Sequence, residues 1–171
     1  MSDVIEIRSG SEQQTREVGR ILGTTLAGGE VIELCGPLGA GKTQLAKGLA
    51  LGLGVPGDES ITSPSFVLIR EHAGRLTLYH CDAYRLQSVE ELLALGLEEM
   101  LEQAGAVVAI EWADRFPAAL AADAIRVDLE HDDGSARRLQ IAWPSVGRLG
   151  ELAELLREAG FDVGGSQNSR E

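Results

Sequence analysis

Apolar residues along the chain switch between the two-residue period of strands and the three-to-four-residue period of helices. Val4, Ile5 and Ile7 suggest a short opening strand, and Ser11-Glu12-Gln13-Gln14 has the form of a capping box. Behind it, Val18, Ile21, Leu22 and Leu26 share one face of a helix that ends at Gly28-Gly29. The stretch from Val31 to Cys35 reads as a short, mostly buried strand. Leu45, Leu49 and Leu53, beside Ala46 and Ala50, then recur at helical spacing as far as Gly54 and Pro56. From Val55 to Ser65 neither period holds, and the length marks a functional loop rather than a simple connector.

Further on, Phe66 to Ile69 and Leu76 to Tyr79 flank Ala73-Gly74 as two strands of a hairpin. The second runs into His80-Cys81-Asp82-Ala83-Tyr84-Arg85. Ser88-Val89-Glu90-Glu91 is another capping box, opening a short helix that stops near Gly96, and Leu97 to Ala104 predicts a further helical segment. Ala106 to Ile110 is a continuous apolar run, the pattern of a strand buried on both faces of a parallel sheet, and it ends at Glu111-Trp112. Ile125, Val127 and Leu129 alternate before Asp133-Gly134, as Leu139 and Ile141 do after it, which predicts a second hairpin. Leu149, Leu152, Leu155 and Leu156 mark a terminal amphipathic helix. The remainder, residues 161–171, has no period and is expected to be a disordered tail behind a single domain of residues 1–160.

The strand ending at Cys35 and the helix starting near Leu45 enclose Gly36-Pro37-Leu38-Gly39-Ala40-Gly41-Lys42-Thr43, a complete G-x-x-x-x-G-K-T loop. The residue types follow from the chemistry of holding a triphosphate. Gly36 and Gly41 let the backbone turn so that successive N–H groups point at phosphate oxygens. Lys42 brings a point charge to the β- and γ-phosphates, the Thr43 hydroxyl is a hard oxygen ligand for Mg²⁺, and the helix N-terminus adds its dipole. The chain has two lysines and one of them stands here. The predicted fold is therefore α/β, a P-loop NTPase with a mixed, mostly parallel sheet, added antiparallel hairpins and flanking helices.

Such a loop needs a carboxylate to fix Mg²⁺, usually at the end of a buried strand beside the loop strand. Glu111 is the better candidate, and Asp82 also ends a predicted strand. The two can divide the labour, one holding the metal while the other orients the attacking water or reaches the metal as well. Ser63 and Ser65, either side of Pro64, lie where a switch loop would close over the γ-phosphate. Trp112 either stacks on the base, meets a partner or packs in the core, and Arg115 is a conceivable cover for the phosphates.

Composition narrows the setting. The 171 residues carry a formal net charge of −12, and no basic cluster larger than Arg137-Arg138 occurs, which argues against a nucleic-acid surface. Cys35 and Cys81 have no metal-ligand spacing, and Cys35 reads as a small apolar residue of its strand. His72 and His131 read as strand-end surface residues, and His80 as structural. The N-terminal stretch lacks a basic segment followed by an apolar one, and no run approaches a membrane span, so the chain is expected to be cytoplasmic.

Together, the helix from Ser11, the phosphate loop, Ser63-Pro64-Ser65-Phe66, Tyr79-His80-Cys81-Asp82-Ala83-Tyr84-Arg85-Leu86 and Ile110-Glu111-Trp112-Ala113-Asp114-Arg115 resemble the TsaE (YjeE) family of bacterial P-loop ATPases. Their order and spacing carry the resemblance from about Ser11 through the terminal helix. It implies an Mg²⁺-dependent ATPase, weak alone, that works with TsaB and TsaD on the threonylcarbamoyl modification of tRNA adenosine. It also implies that Thr43 and Glu111 bind Mg²⁺, that Asp82 acts at the γ-phosphate, and that tRNA is met only through the partners. Departures are mild: Pro37 stands where an acidic residue is frequent, and Ser65 replaces a common Thr while keeping the hydroxyl. The alternatives are a small-molecule kinase with the same loop or a module that uses ATP as a conformational ligand. A GTPase is disfavoured because no Asn-Lys-x-Asp stretch exists.

Overall fold

A computed structural model describes residues 3–57, 69–103, 105–116 and 123–166. In chain order its elements are β1 (Val4–Ser9), α1 (Glu12–Thr25), β2 (Val31–Cys35), α2 (Lys42–Gly52), β3 (Ile69–His72), β4 (Thr77–Asp82), α3 (Val89–Leu93), α4 (Leu97–Glu102), β5 (Ala106–Glu111), β6 (Ile125–His131), β7 (Arg137–Ala142), α5 (Val146–Glu158) and β8 (Val163–Ser166). The strands join one sheet in the order β3-β4-β5-β2-β6-β7-β1-β8. β4, β5, β2 and β6 run parallel at its centre, and every other pairing is antiparallel.

The centre is parallel because its strands are apolar on both faces. Every residue of β2 and β5 is buried, whereas β6 alternates buried and partly exposed residues through its first five positions. One face of the sheet carries Ile32, Leu34, Val107, Ala109 and Val127 against Leu22, Leu45 and Leu49 of α1 and α2, with Leu152 and Leu156 of α5 in the same core. The other carries Val108, Ile110 and Cys81 against Leu92, with Leu97 and Leu101 partly buried beside them. Both expected hairpins form, β3 with β4 and β6 with β7.

The capping boxes at Ser11 and Ser88 close with a shared variation. Each serine hydroxyl accepts the N–H three residues on, from Gln14 at 3.1 Å and Glu91 at 3.2 Å. The returning side chains reach the N–H of the residue before the cap, Gly10 for Gln14 and Gln87 for Glu91. α1 ends at Thr25, short of the Gly28-Gly29 pair, with Leu26 extended at its C-cap.

α1 and α2 approach closely through glycines four residues apart on each. A Cβ on Gly19 or Gly23 would meet the backbone of Leu45 and Leu49, and one on Gly48 or Gly52 would strike the carbonyls of Arg16 and Arg20. This contact brings the start of α1 beside the phosphate loop.

One expectation is corrected. Residues 163–166, assigned to a disordered tail, form β8 and pair antiparallel with β1 from Ile7↔Val163 to Val4↔Ser166. A ladder of backbone hydrogen bonds requires no side-chain alternation, so Gly164-Gly165 can extend a sheet without any hydropathy signal. The first strand of the first hairpin, expected over Phe66–Ile69, is observed over Ile69–His72; Phe66–Leu68 and the switch-loop residues Ser63 and Ser65 lie outside the described residues.

Candidate nucleotide site

Strand order decides which side chains can meet. β2 lies between β5 and β6, and β4 lies beyond β5, so the C-terminal ends of β2, β4 and β5 open on the same edge. In that register Asp82 stands opposite Glu111, and Leu34 opposite Glu111 on the other side. Ligands of open α/β sheets bind outside such carboxyl ends.

The phosphate loop occupies this edge. Gly36, Gly39 and Gly41 take positive φ of 142°, 75° and 106°, and a Cβ on Gly36 would run into the Leu129 carbonyl of β6. Two residues of the β6–β7 hairpin brace the loop from behind. His131 Nε2 donates to the Leu38 carbonyl at 3.2 Å, and the Arg137 guanidinium donates to that of Gly39 at 3.1 Å. Ala40 is fully buried, whereas Leu38 is 83% exposed at the loop's tip.

Lys42 is folded into the loop. Its Nζ donates to the carbonyls of Gly36 at 2.7 Å and Pro37 at 2.9 Å and sits 3.7 Å from the centre of the Trp112 ring. Burial holds its ammonium below the usual lysine range, opposed by the negative charges of Glu111, Asp114 and Asp82. Trp112 has φ 62°, the one non-glycine residue with positive φ among those described. A bulky residue there is strained. Its N–H is tied to the Leu34 carbonyl at 3.0 Å, and its ring meets Tyr84 at 4.9 Å between centroids.

The carboxylates are placed differently. The Thr43 hydroxyl donates to Glu111 Oε1 at 3.2 Å, while His80 Nε2 lies 2.5 Å from Glu111 Oε2. Asp82 Oδ1 accepts the Tyr84 N–H at 2.9 Å. Glu111, Asp82, His80 and Lys42 are all buried.

A cleft of about 280 Å³ opens over this arrangement, lined in part by Gly39, Gly41, Lys42, Thr43, Glu111 and Trp112, with Glu12 and Gln44 at its side. The cleft thus gathers the loop, Glu111 and Trp112, and Asp82 stands beside Glu111 in the sheet without lining the cleft. Arg115 does not line the cleft; it is exposed, donates to the Tyr84 carbonyl and lies over the Tyr84 and Phe116 rings. Of the thiols, Cys35 and Cys81 are buried, and burial pushes each up to about 12. His131 is exposed at its strand end as expected, and half-buried His72 is held below the ordinary histidine range by burial.

Several site residues escaped the sequence reading. His131 and Arg137 are remote from the loop in sequence, and only the placement of β6 beside β2 brings them to it. His80 did carry a signal: it stands two residues before Asp82 and so shares its face of β4.

The donors fit a small hard cation. Thr43 supplies a hydroxyl and Glu111 a carboxylate, and among the described residues no group of three or more His, Cys, Asp or Glu could hold an ion alone. A hydroxyl and one carboxylate are a donor set that Mg²⁺ can accept, with water and phosphate completing its shell.

The sequence model of the family described as "Threonylcarbamoyl adenosine biosynthesis protein TsaE" matches residues 9–139. The tRNA threonylcarbamoyladenosine biosynthesis protein TsaE of Treponema pallidum is 42% identical over 134 residues, 78% of this chain and 97% of that protein. Its namesake in a Nostoc species is 44% identical over 134 residues, covering 76% of this chain and 80% of that one. A crystal structure of YdiB from Bacillus subtilis superposes with a TM-score of 0.71 at 28% identity, covering 93% of this chain and 97% of that one.

Proposed function

The chain belongs to the TsaE family of tRNA threonylcarbamoyladenosine biosynthesis, and from that premise we propose that it is the ATP-binding and ATP-hydrolysing component of the modification. The observation that carries this reading is convergence: Lys42, Thr43 and Glu111 line one cleft at one edge of the sheet, and Asp82 stands opposite Glu111 at that edge.

In this reading the loop's N–H groups and the start of α2 receive the phosphates. Lys42 exchanges its contacts with the Gly36 and Pro37 carbonyls for phosphate oxygens, at little cost because it is already desolvated and ordered. Thr43 and Glu111 would hold Mg²⁺, which when bound neutralises charge between the β- and γ-phosphates. Asp82 is aimed by the Tyr84 N–H, and its carboxylate orients the attacking water. Trp112, at the mouth of the cleft, gives a flat surface for the nucleotide. Hydrolysis then acts on the TsaB–TsaD complex, which holds the tRNA, so this chain needs no basic face of its own.

Calorimetric titration with ATP and Mg²⁺ tests the reading. Wild type should bind, and Lys42→Ala should lose a charge-assisted contact of about 1.5–3 kcal/mol, or roughly ten- to a hundredfold in affinity. Equal binding by the two proteins would refute the assignment.

A further inference from the structure

His80 has no part in the chemistry outlined above, yet it is fully buried and in contact with one of the site's carboxylates. It does not line the cleft, and its Nε2 faces Glu111. We infer that His80 is a positioning residue: through its Nε2–H it locks the Glu111 carboxylate in the orientation that presents Oε1 beside Thr43. The inference rests on the reading of Glu111 as the carboxylate that holds Mg²⁺.

Three observations carry it. His80 Nε2 lies 2.5 Å from Glu111 Oε2, within hydrogen-bonding distance of the carboxylate. His80 Nδ1 is buried and has no partner among the described residues, so a proton on that nitrogen would be an unpaired buried donor. The ring proton therefore sits on Nε2, where Glu111 accepts it. Among the described residues the other hydrogen bond to Glu111, from the Thr43 hydroxyl at 3.2 Å on Oε1, is longer and comes from a residue that the proposed function places at the cleft. Thr43 holds one oxygen of the carboxylate and His80 the other. Without His80, Oε2 is a buried anionic oxygen lacking its donor, and the carboxylate must turn to find another. An imidazole N–H behind a ligating carboxylate orients that ligand, and loss of such a partner commonly costs ten- to a hundredfold in metal affinity.

The test compares His80→Leu, His80→Asn and His80→Gln with wild type. Glutamine places an amide N–H near the position of Nε2, whereas asparagine is polar but too short to reach it. Binding of a non-hydrolysable ATP analogue is measured by calorimetry across a Mg²⁺ series and in EDTA, with thermal unfolding followed in parallel. All four proteins should bind equally in EDTA. His80→Leu and His80→Asn should need roughly 10- to 100-fold more Mg²⁺ for half-maximal enhancement, and His80→Gln should return to within a few-fold of wild type. If His80→Leu does not fold, His80→Asn carries the same contrast. A folded His80→Asn with wild-type Mg²⁺ dependence, equal losses with and without Mg²⁺, or no recovery in His80→Gln would each overturn the proposal and leave His80 a packing residue. Glu111→Gln is the control for the premise. If it too leaves the Mg²⁺ requirement unmoved, the assignment of Glu111 falls, and with it that of His80.

Discussion

Glu111 and Asp82 stand opposite each other across β4 and β5 in different surroundings, and under the proposed function they do different work. Glu111 is bonded to Thr43, the loop's hydroxyl ligand, while Asp82 is fixed by a backbone N–H. Glu111→Gln should therefore weaken Mg²⁺-dependent ATP binding. Asp82→Ala should leave binding nearly intact and stop turnover, the mark of a contact made only in the transition state. Equal loss of binding in both would mean that both hold the metal. A third carboxylate reports on stability instead. Glu33, buried in β2, is held above the usual carboxylate range, chiefly by burial and against the attraction of Arg126. Its folded state keeps a proton that the unfolded chain has lost, so its contribution falls as pH rises through the window from the ordinary carboxylate value to the raised one. Glu33→Gln should accordingly raise the melting temperature at neutral pH, with the gain fading as the buffer is acidified below that window. The residues of the phosphate loop and both carboxylates were legible in the sequence because each is tied to a local pattern: a glycine spacing, or the end of an apolar run. Glu33 offered no such pattern, for its burial depends on which strands lie beside β2.

At the scale of elements, the α1–α2 contact is the least forgiving part of the fold. Gly48→Ala would drive a methyl group into the Arg16 carbonyl of a neighbouring helix that has no room to yield. The loss should be at least the ~1–3 kcal/mol of ordinary overpacking. Gly150, exposed on α5, meets nothing within 4 Å, so Gly150→Ala should stabilise by about 1 kcal/mol through helix propensity alone. Urea unfolding of the two variants checks both signs. The spacing Gly19–Gly23 and Gly48–Gly52 was visible in the sequence, but nothing local says that the two pairs face one another. The same distinction separates the two ends of the chain. β1 declared itself through Val4, Ile5 and Ile7, whereas β8 contributes backbone rather than apolar pattern and was missed. Hairpin pairing is legible because the partners are adjacent in sequence, although the first strand of the β3–β4 hairpin is observed at Ile69–His72 rather than Phe66–Ile69. The β1–β7 pairing joins distant segments and had no local signature.

Over the whole molecule, a net charge of −12 and the cleft at the sheet edge point in one direction. Under the proposed function the phosphates of ATP meet backbone N–H groups and one buried lysine, while the sequence has no basic cluster larger than Arg137-Arg138 for the phosphates of a nucleic acid. The isolated chain should show no measurable affinity for tRNA at physiological salt. The sequence has no Arg-rich lid stretch, and Arg115, a conceivable cover for the phosphates, is engaged with Tyr84. An NTPase with every phosphate-binding part but no positive charge to close over them hydrolyses slowly until another surface completes it, a contribution that can reach ~10³–10⁵ in rate. The most direct test is phosphate release from ATP as the TsaB–TsaD complex is titrated in, with free tRNA as the control. Release should be slow for the chain alone, rise clearly and saturate with the complex, and ignore free tRNA. A flat response to the complex, together with tight binding of tRNA by this chain alone, would contradict the reading.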